Sequence, residues 1–235
     1  MYLWAPLGKS SSSNNGLWDG NELVWAGNGK TFLRGVGQKF LKHPTFNKAF
    51  NRILNEYTPR KKYEIGLFIV CSYGKPYSQS FIHYNIIKQL RQFREKYFRI
   101  HQIILSNAGI IPRELEEYYP FCCYDWNPRY ENKEIKQLYS NVLANKIIKY
   151  ALRFGNYYKN FACYLRKDSD SYKSIKKVEK ELGIQIPNLT LPKEQIPDYQ
   201  LKKASLGEYT LEEDLILITP KNLAALKKGL KRLFT

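Results

Sequence analysis

The chain has 235 residues, room for one large domain or two small ones, and 43% of them are hydrophobic, so a core can be buried. Its 38 Lys and Arg outnumber 21 Asp and Glu by 17, and a surplus of that size points to a polyanionic partner, most often nucleic acid. Four cysteines without a C-x-x-C pair argue against a zinc ribbon, and no stretch reads as a signal peptide or approaches the ~18 apolar residues of a membrane span, so a reducing cytoplasm and no membrane are expected.

Residues 1–39 are rich in Gly, Ser and Asn, and "NELVWA" followed by "KTFLRG" predicts a small hairpin. "GNGKT" is not a phosphate loop, because Val24 stands where the pattern needs Gly. "PTFNKAFNRILNEY" (44–57) repeats Phe46, Phe50, Ile53, Leu54 and Tyr57 at helical spacing. "YEIGLFIV" (63–70) and "IHQIILS" (100–106) read as strands, and residues 80–97 between them as a helix capped by Ser80. A short helix over 112–119 and a third strand over 121–126 are expected next. A long helix over 132–154, a fourth strand over 159–166 and a helix over 170–182 ending at Gly183 follow. Prolines 187, 192 and 197 space an extended crossing segment or linker, and 213–234 predicts one more strand and a basic helix.

This alternation predicts an α/β fold with a doubly wound, mainly parallel sheet and helices on both faces, plus an N-terminal hairpin-like extension and a C-terminal strand–helix extension. The boundaries are 1–39, 40–183 and 184–235. Ligands of such sheets bind at the carboxyl ends of the strands. "CSYGKPYSQSFIH" (71–83) lies there, as do "SNAG" (106–109) and Asp125. A thiol at Cys71 can attack an electrophilic carbon when its neighbours lower its pKa, Lys75 can lower it or hold an anion, and His83 can move protons near neutral pH. Each also has a structural reading: a small buried hydrophobe, a solvated lysine, a helix cap at Ser80, a histidine bonded back to its loop.

Taken together, Cys71, Lys75, Pro76, Tyr77, Ser80 and His83 form the pattern C-x-x-x-K-P-Y-x-x-S-x-x-H. "LSNAGIIPRELEEYYPFCCYD" (105–125) adds Gly109, Pro112, Arg113, Glu114, Leu115, Glu116, Tyr119, Pro120, Tyr124 and Asp125. These two motifs, with residues 42–59 before the first strand, resemble the core domain of archaeosine synthase alpha subunits over about residues 40–180. Three departures stand out: Val70 where that family has Pro, Cys123 where it has His, and "WNPRY" after the Asp.

The resemblance implies a tRNA-modifying transferase, or a subunit of one, in archaeosine biosynthesis. It would add the amine of free lysine to the nitrile of 7-cyano-7-deazaguanine at position 15 of tRNA. It would work with a radical SAM partner or a separate subunit carrying transglycosylase or PUA domains, and needs no metal or cofactor of its own. In that chemistry His83 and Asp125 move protons and Cys71 attacks the nitrile or lines the pocket. Lys75 and Arg113 hold a carboxylate or phosphate, Tyr77 stacks on the base, and Ser80, Ser106 and Gly109 complete the substrate pocket. From 129 to 177 there are 12 Lys and Arg against 4 Asp and Glu, and Lys146, Lys149 and Arg153 are the expected RNA-binding residues. The alternatives are a diverged, non-catalytic module that grips RNA or a partner, and a nucleobase-processing enzyme of the same fold acting on DNA or a free base.

Overall fold

A computed structural model describes residues 22–25, 31–204 and 213–234. The expected hairpin is present as β1 (Glu22–Trp25) and β2 (Thr31–Arg34), antiparallel with Leu23 opposite Leu33. A helical turn, α1 (Gln38–Leu41), buries Phe40 and Leu41. In α2 (Pro44–Glu56) Pro44 occupies the first turn and the His43 ring accepts the Thr45 amide, so the start expected from sequence is built by proline and a side-chain cap.

The core sheet begins with β3 (Tyr63–Val70), buried on both faces from Ile65 onward as a central parallel strand should be. Gly66 is needed for close approach: a Cβ there would stand 2.8 Å from the Phe161 ring. After β3 come α3 (Phe81–Arg91), β4 (Ile100–Ser106), β5 (Gly109–Pro112), β6 (Tyr124–Asp125), α4 (Lys133–Phe154), β7 (Tyr158–Tyr164), α5 (Asp170–Leu182), α6 (Asp198–Ala204) and α7 (Pro220–Leu233). The core sheet has the order β5-β4-β3-β7, with β3 parallel to β4 and β7 and β5 antiparallel at the edge. Helix α4 packs against α5, and α3 against α7. The fold is therefore α/β with a mixed sheet whose centre is parallel. No helix among the described residues is long and apolar enough to cross a membrane.

Several expectations are corrected. The helix expected over 80–97 stops at Arg91, and a 3-10 turn over Arg94–Arg99 begins at Arg94 with φ 52, a left-handed value an α-helix cannot continue through. The segment 109–112 is a strand: Gly109 at φ 123 turns the chain back so that Ile110 pairs with Leu105, and only Arg113–Leu115 coil as a 3-10 turn. The third strand shrinks to two residues and leaves the core sheet, pairing Tyr124 with Leu33 and Asp125 with Arg34 on β2. The strand expected after 213 is a 3-10 segment, Glu213–Ile218. Its carbonyls are taken by side chains instead of a neighbouring strand: Tyr164 donates to Leu217, and Thr219 and Asn222 donate to Ile216. The outer edge of β7 is occupied by residues 187–189, where Cys163 donates to Pro187 and accepts from Leu189. The Pro-spaced segment thus seals a sheet edge and buries Ile186 and Ile196. Residues 1–21, most of the Gly/Ser/Asn-rich stretch, lie outside the described residues.

Candidate functional site

The loop 71–80 leaves the carboxyl end of β3, and its Lys75–Pro76 peptide is cis. The Lys75 ammonium lies 4.2 Å from the centroid of the Tyr124 ring and 5.7 Å from that of Tyr77. Loss of hydration lowers its pKa, while Cys71, Asp125 and Cys122 act in the opposite direction. The Lys75 ammonium thus feels the Cys71 thiol of its own loop and the Asp125 carboxylate of β6. Arg34 stands 3.8 Å from the Asp125 carboxylate and was not foreseen, since nothing in "KTFLRG" signals a partner 91 residues away. Under Lys75 lies a buried phenol pair, Tyr77 and Tyr124, with hydroxyls 2.5 Å apart and the Ser106 hydroxyl beside both. Burial raises both phenol pKa values, so the floor is neutral and donates hydrogen bonds.

The other motif residues lie behind this floor. Ser80 caps α3 by accepting the His83 amide. His83 is fully buried, and its Nδ1 sits 2.7 Å from an Arg113 guanidinium nitrogen. A guanidinium only donates, so His83 is the Nε2-protonated neutral tautomer, and burial and the Arg113 charge hold its pKa well below the ordinary range. Arg113 also donates to Gln102 at 2.9 Å and to the Glu116 carboxylate at 2.6 Å. Glu116 in turn accepts the Ser78 amide of the Lys75 loop. The two motifs are thus bolted together, and Arg113 and His83 are committed to each other instead of facing a ligand. Tyr77 is fully buried and part of the floor, so it offers no free face to a base.

Gly109 and Ser106 shape the β4–β5 turn: the Ser106 hydroxyl donates to the Gly109 carbonyl and accepts the Ala108 amide. Lys146 sits under this turn. It is buried, donates to the Ala108 carbonyl at 3.3 Å and lies 5.6 Å from the Phe50 ring centroid, so it cannot contact RNA phosphates. Lys149 is exposed, and Arg153 is exposed while donating to the Leu54 carbonyl. Burial pushes the Lys146 pKa down from 10.5 to about 8. Between those values the unfolded chain binds more protons than the folded one, so stability should rise with pH there by up to about 3 kcal/mol. In Lys146→Met this rise should vanish, as urea unfolding of both proteins across the window will read.

A second buried network lies at the opposite rim of the sheet. His101 meets Tyr158 at 2.7 Å and Glu114 at 2.9 Å, and Glu114 accepts from Tyr57 at 2.6 Å. Against the cost of burial, the bonds from His101 and Tyr57 bring the Glu114 pKa down to about 2. It explains why polar His101 sits buried in β4: both of its ring nitrogens have partners.

Three comparisons bear on this site. The family profile described as "Domain of unknown function (DUF5591)" matches residues 46–198, more than half of the chain. The chain belongs to the DUF5591 family. Both motifs lie inside that DUF5591 stretch, as do α3 through α5 and all but the first two residues of α2. The chain is 43% identical over 63 residues to the archaeosine synthase subunit alpha of Thermoplasma acidophilum, covering 26% of this chain and 12% of the relative. It is 37% identical over 75 residues to the archaeosine synthase subunit alpha of Methanosarcina acetivorans, covering 32% of this chain and 11% of the relative. The aligned stretches thus span about an eighth or less of those curated relatives. The crystal structure of AF0587, a protein of unknown function, superposes with a TM-score of 0.49 at 17% identity over 77% of this chain and 49% of that one.

Proposed function

We propose that this DUF5591 protein acts in archaeosine biosynthesis, as an enzyme or subunit that adds an amine to the nitrile of 7-cyano-7-deazaguanine in tRNA. The reading is supported by the archaeosine synthase alpha subunits that share sequence with it. The observation that carries it is the Lys75 ammonium 4.2 Å from the Tyr124 ring centroid, on the loop that bears Cys71 and next to the strand that bears Asp125, at the carboxyl end of β3. Adding an amine to a nitrile forms one C–N bond, breaks one π bond, and moves one proton from the amine to the nitrile nitrogen. Asp125 takes the proton from the attacking amine and Lys75, a stronger acid than an exposed lysine, delivers one to the nitrile nitrogen. Cys71 lines the cleft. His83, Arg113, Glu116 and Ser80 fix the loop, Tyr77 and Ser106 form its floor, and Gly109 forms the adjoining turn. Free lysine as amine donor, tRNA position 15, and a radical SAM or transglycosylase/PUA partner belong to this proposal.

We also read the core as doubly wound. The connection β3–α3–β4 crosses toward one edge of the sheet and β4–α4–β7 toward the other. Right-handed crossovers put α3 and α4 on opposite faces. The non-catalytic alternative is favoured by one observation: His83, expected to move protons, and Arg113, expected to hold an anion, are consumed in holding the loop. Incubation with nitrile-bearing tRNA and lysine, followed by nucleoside mass spectrometry, separates the two. An adduct that depends on Asp125, lost in Asp125→Asn, is the expected result. Absence of adduct with every candidate partner added would leave the binding module.

A further inference from the structure

The face of α3 turned to solvent carries Phe81, Tyr84, Lys88 and Arg91, and all four are exposed. Their spacing of three, four and three residues puts them on one stripe, opposite buried Ile82, His83, Ile86 and Leu90. The stripe is about 15 Å long. Ser78, Tyr84, Ile87, Lys88 and Arg91 line a hollow of about 260 Å³ along it. From 65 to 94 the sequence has no Asp or Glu, and none from 215 to 235. These two carboxylate-free segments lie together: Lys227 of α7 donates to Gln92 at 2.8 Å, and the Phe93 and Phe234 rings are 5.5 Å apart. Beside the stripe α7 exposes Lys228 and Lys231. Among the described residues, neither Lys88 nor Arg91 has a carboxylate partner.

Lysines alone would be an ordinary solvated surface. The aromatics are not: Phe81 is 53% and Tyr84 58% exposed, in line with two cations and at the end of the helix nearest the Lys75 loop. Rings in water beside unpaired cations suit a ligand with flat apolar faces joined by regularly spaced anions. Unpaired bases on a phosphate backbone meet that description, whereas a duplex hides its base faces.

We propose that this stripe binds single-stranded RNA, with bases stacked on Phe81 and Tyr84 and phosphates held by Lys88 and Arg91, so that the strand runs toward the Lys75 loop. The choice of RNA over DNA rests on the function proposed above. The charge and the stacking rest on the surface alone.

The test uses the full chain and a fluorescein-labelled, unstructured RNA oligonucleotide without the nitrile base, followed by anisotropy across salt. Phe81→Ala with Tyr84→Ala should weaken binding about tenfold or more with the salt dependence unchanged, and Tyr84→Trp should retain affinity. Lys88→Ala with Arg91→Ala should reduce the slope of log affinity against log salt by about 1.4. Wild-type binding by both double variants would overturn the proposal, as would equal competition by duplex RNA. Loss confined to Lys149→Ala and Arg153→Ala would overturn it in favour of α4. Equal affinity for single-stranded DNA overturns the assignment to RNA, and binding to anionic phosphatidylserine vesicles without RNA binding overturns the class of partner. Because the probe lacks the nitrile, RNA binding lost in the α3 variants with no adduct formed from modified tRNA would keep this surface and reject the reaction.

Discussion

Replacing Arg113 by Ala should cost about 3 kcal/mol of unfolding free energy, among the largest effects of any single change in this protein. The guanidinium serves Glu116, Gln102 and His83 at once, and Glu116 is only 5% exposed. Without Arg113 the Glu116 carboxylate keeps the Ser78 amide but loses its counter-charge, and a buried anion is costly to leave alone. Arg113→Met combined with Glu116→Gln should recover part of that loss, because charge and counter-charge leave together. Urea unfolding of the two variants reads the difference. If Arg113→Ala unfolds like the parent, the two motifs are not held together through this residue. Should the Lys75 loop loosen in the variant, Cys71 will also react faster with a thiol reagent, which reports the loop separately from global stability.

Lys75→Ala should lower adduct formation about a hundredfold or more, the usual loss when a positioned proton donor is removed. Lys75→Arg decides what the ammonium does. If Lys75 only holds a carboxylate or phosphate, Arg keeps the charge and much of the activity. If it delivers a proton, Arg cannot, because its guanidinium stays protonated throughout the working range. A proton-delivering Lys75 gives no rescue by Arg, and that is the expected result. The pH dependence has a definite sign: burial lowers the Lys75 pKa, so the acid form is lost, and the rate should fall, as pH rises through that lowered value. Cys71→Ser should keep most of the activity if the thiol lines the cleft, and a total loss would assign it the covalent role instead. Rates with nitrile-bearing tRNA in the complete system, read by nucleoside mass spectrometry, supply all three comparisons.

Much of the framework could be read along the chain. The strands at 63–70 and 100–106 announce themselves as unbroken apolar runs, and α2, α4 and α5 show their apolar stripes. Caps and breakers are equally local: Ser80, Asn132 and Ser169 each accept an amide three residues on, and Gly183 ends α5 at φ 64. The motif around Lys75 was visible as spacing too. What spacing could not assign was direction. Lys146 looked like a surface cation because α4 reads as having one apolar stripe. Yet that helix packs against α5 and also against α2 and β5, so a second side of it is inside. From their types His83 was expected to move protons and Arg113 to hold an anion of the substrate, but they face each other across 30 residues of sequence.

By itself, the order of residues determined the two central strands β3 and β4, the helices α2, α4 and α5, and which charges dominate, because periodicity and end-capping act over one or two turns of chain. Only the tertiary structure decided that β6 leaves the core sheet to set Asp125 beside Arg34, and that 187–189 covers the outer edge of β7. It also decided that His83, Arg113 and Glu116 brace the Lys75 loop. Those outcomes depend on hydrogen-bond partners and burial supplied by segments far away in the chain, and no local pattern encodes them.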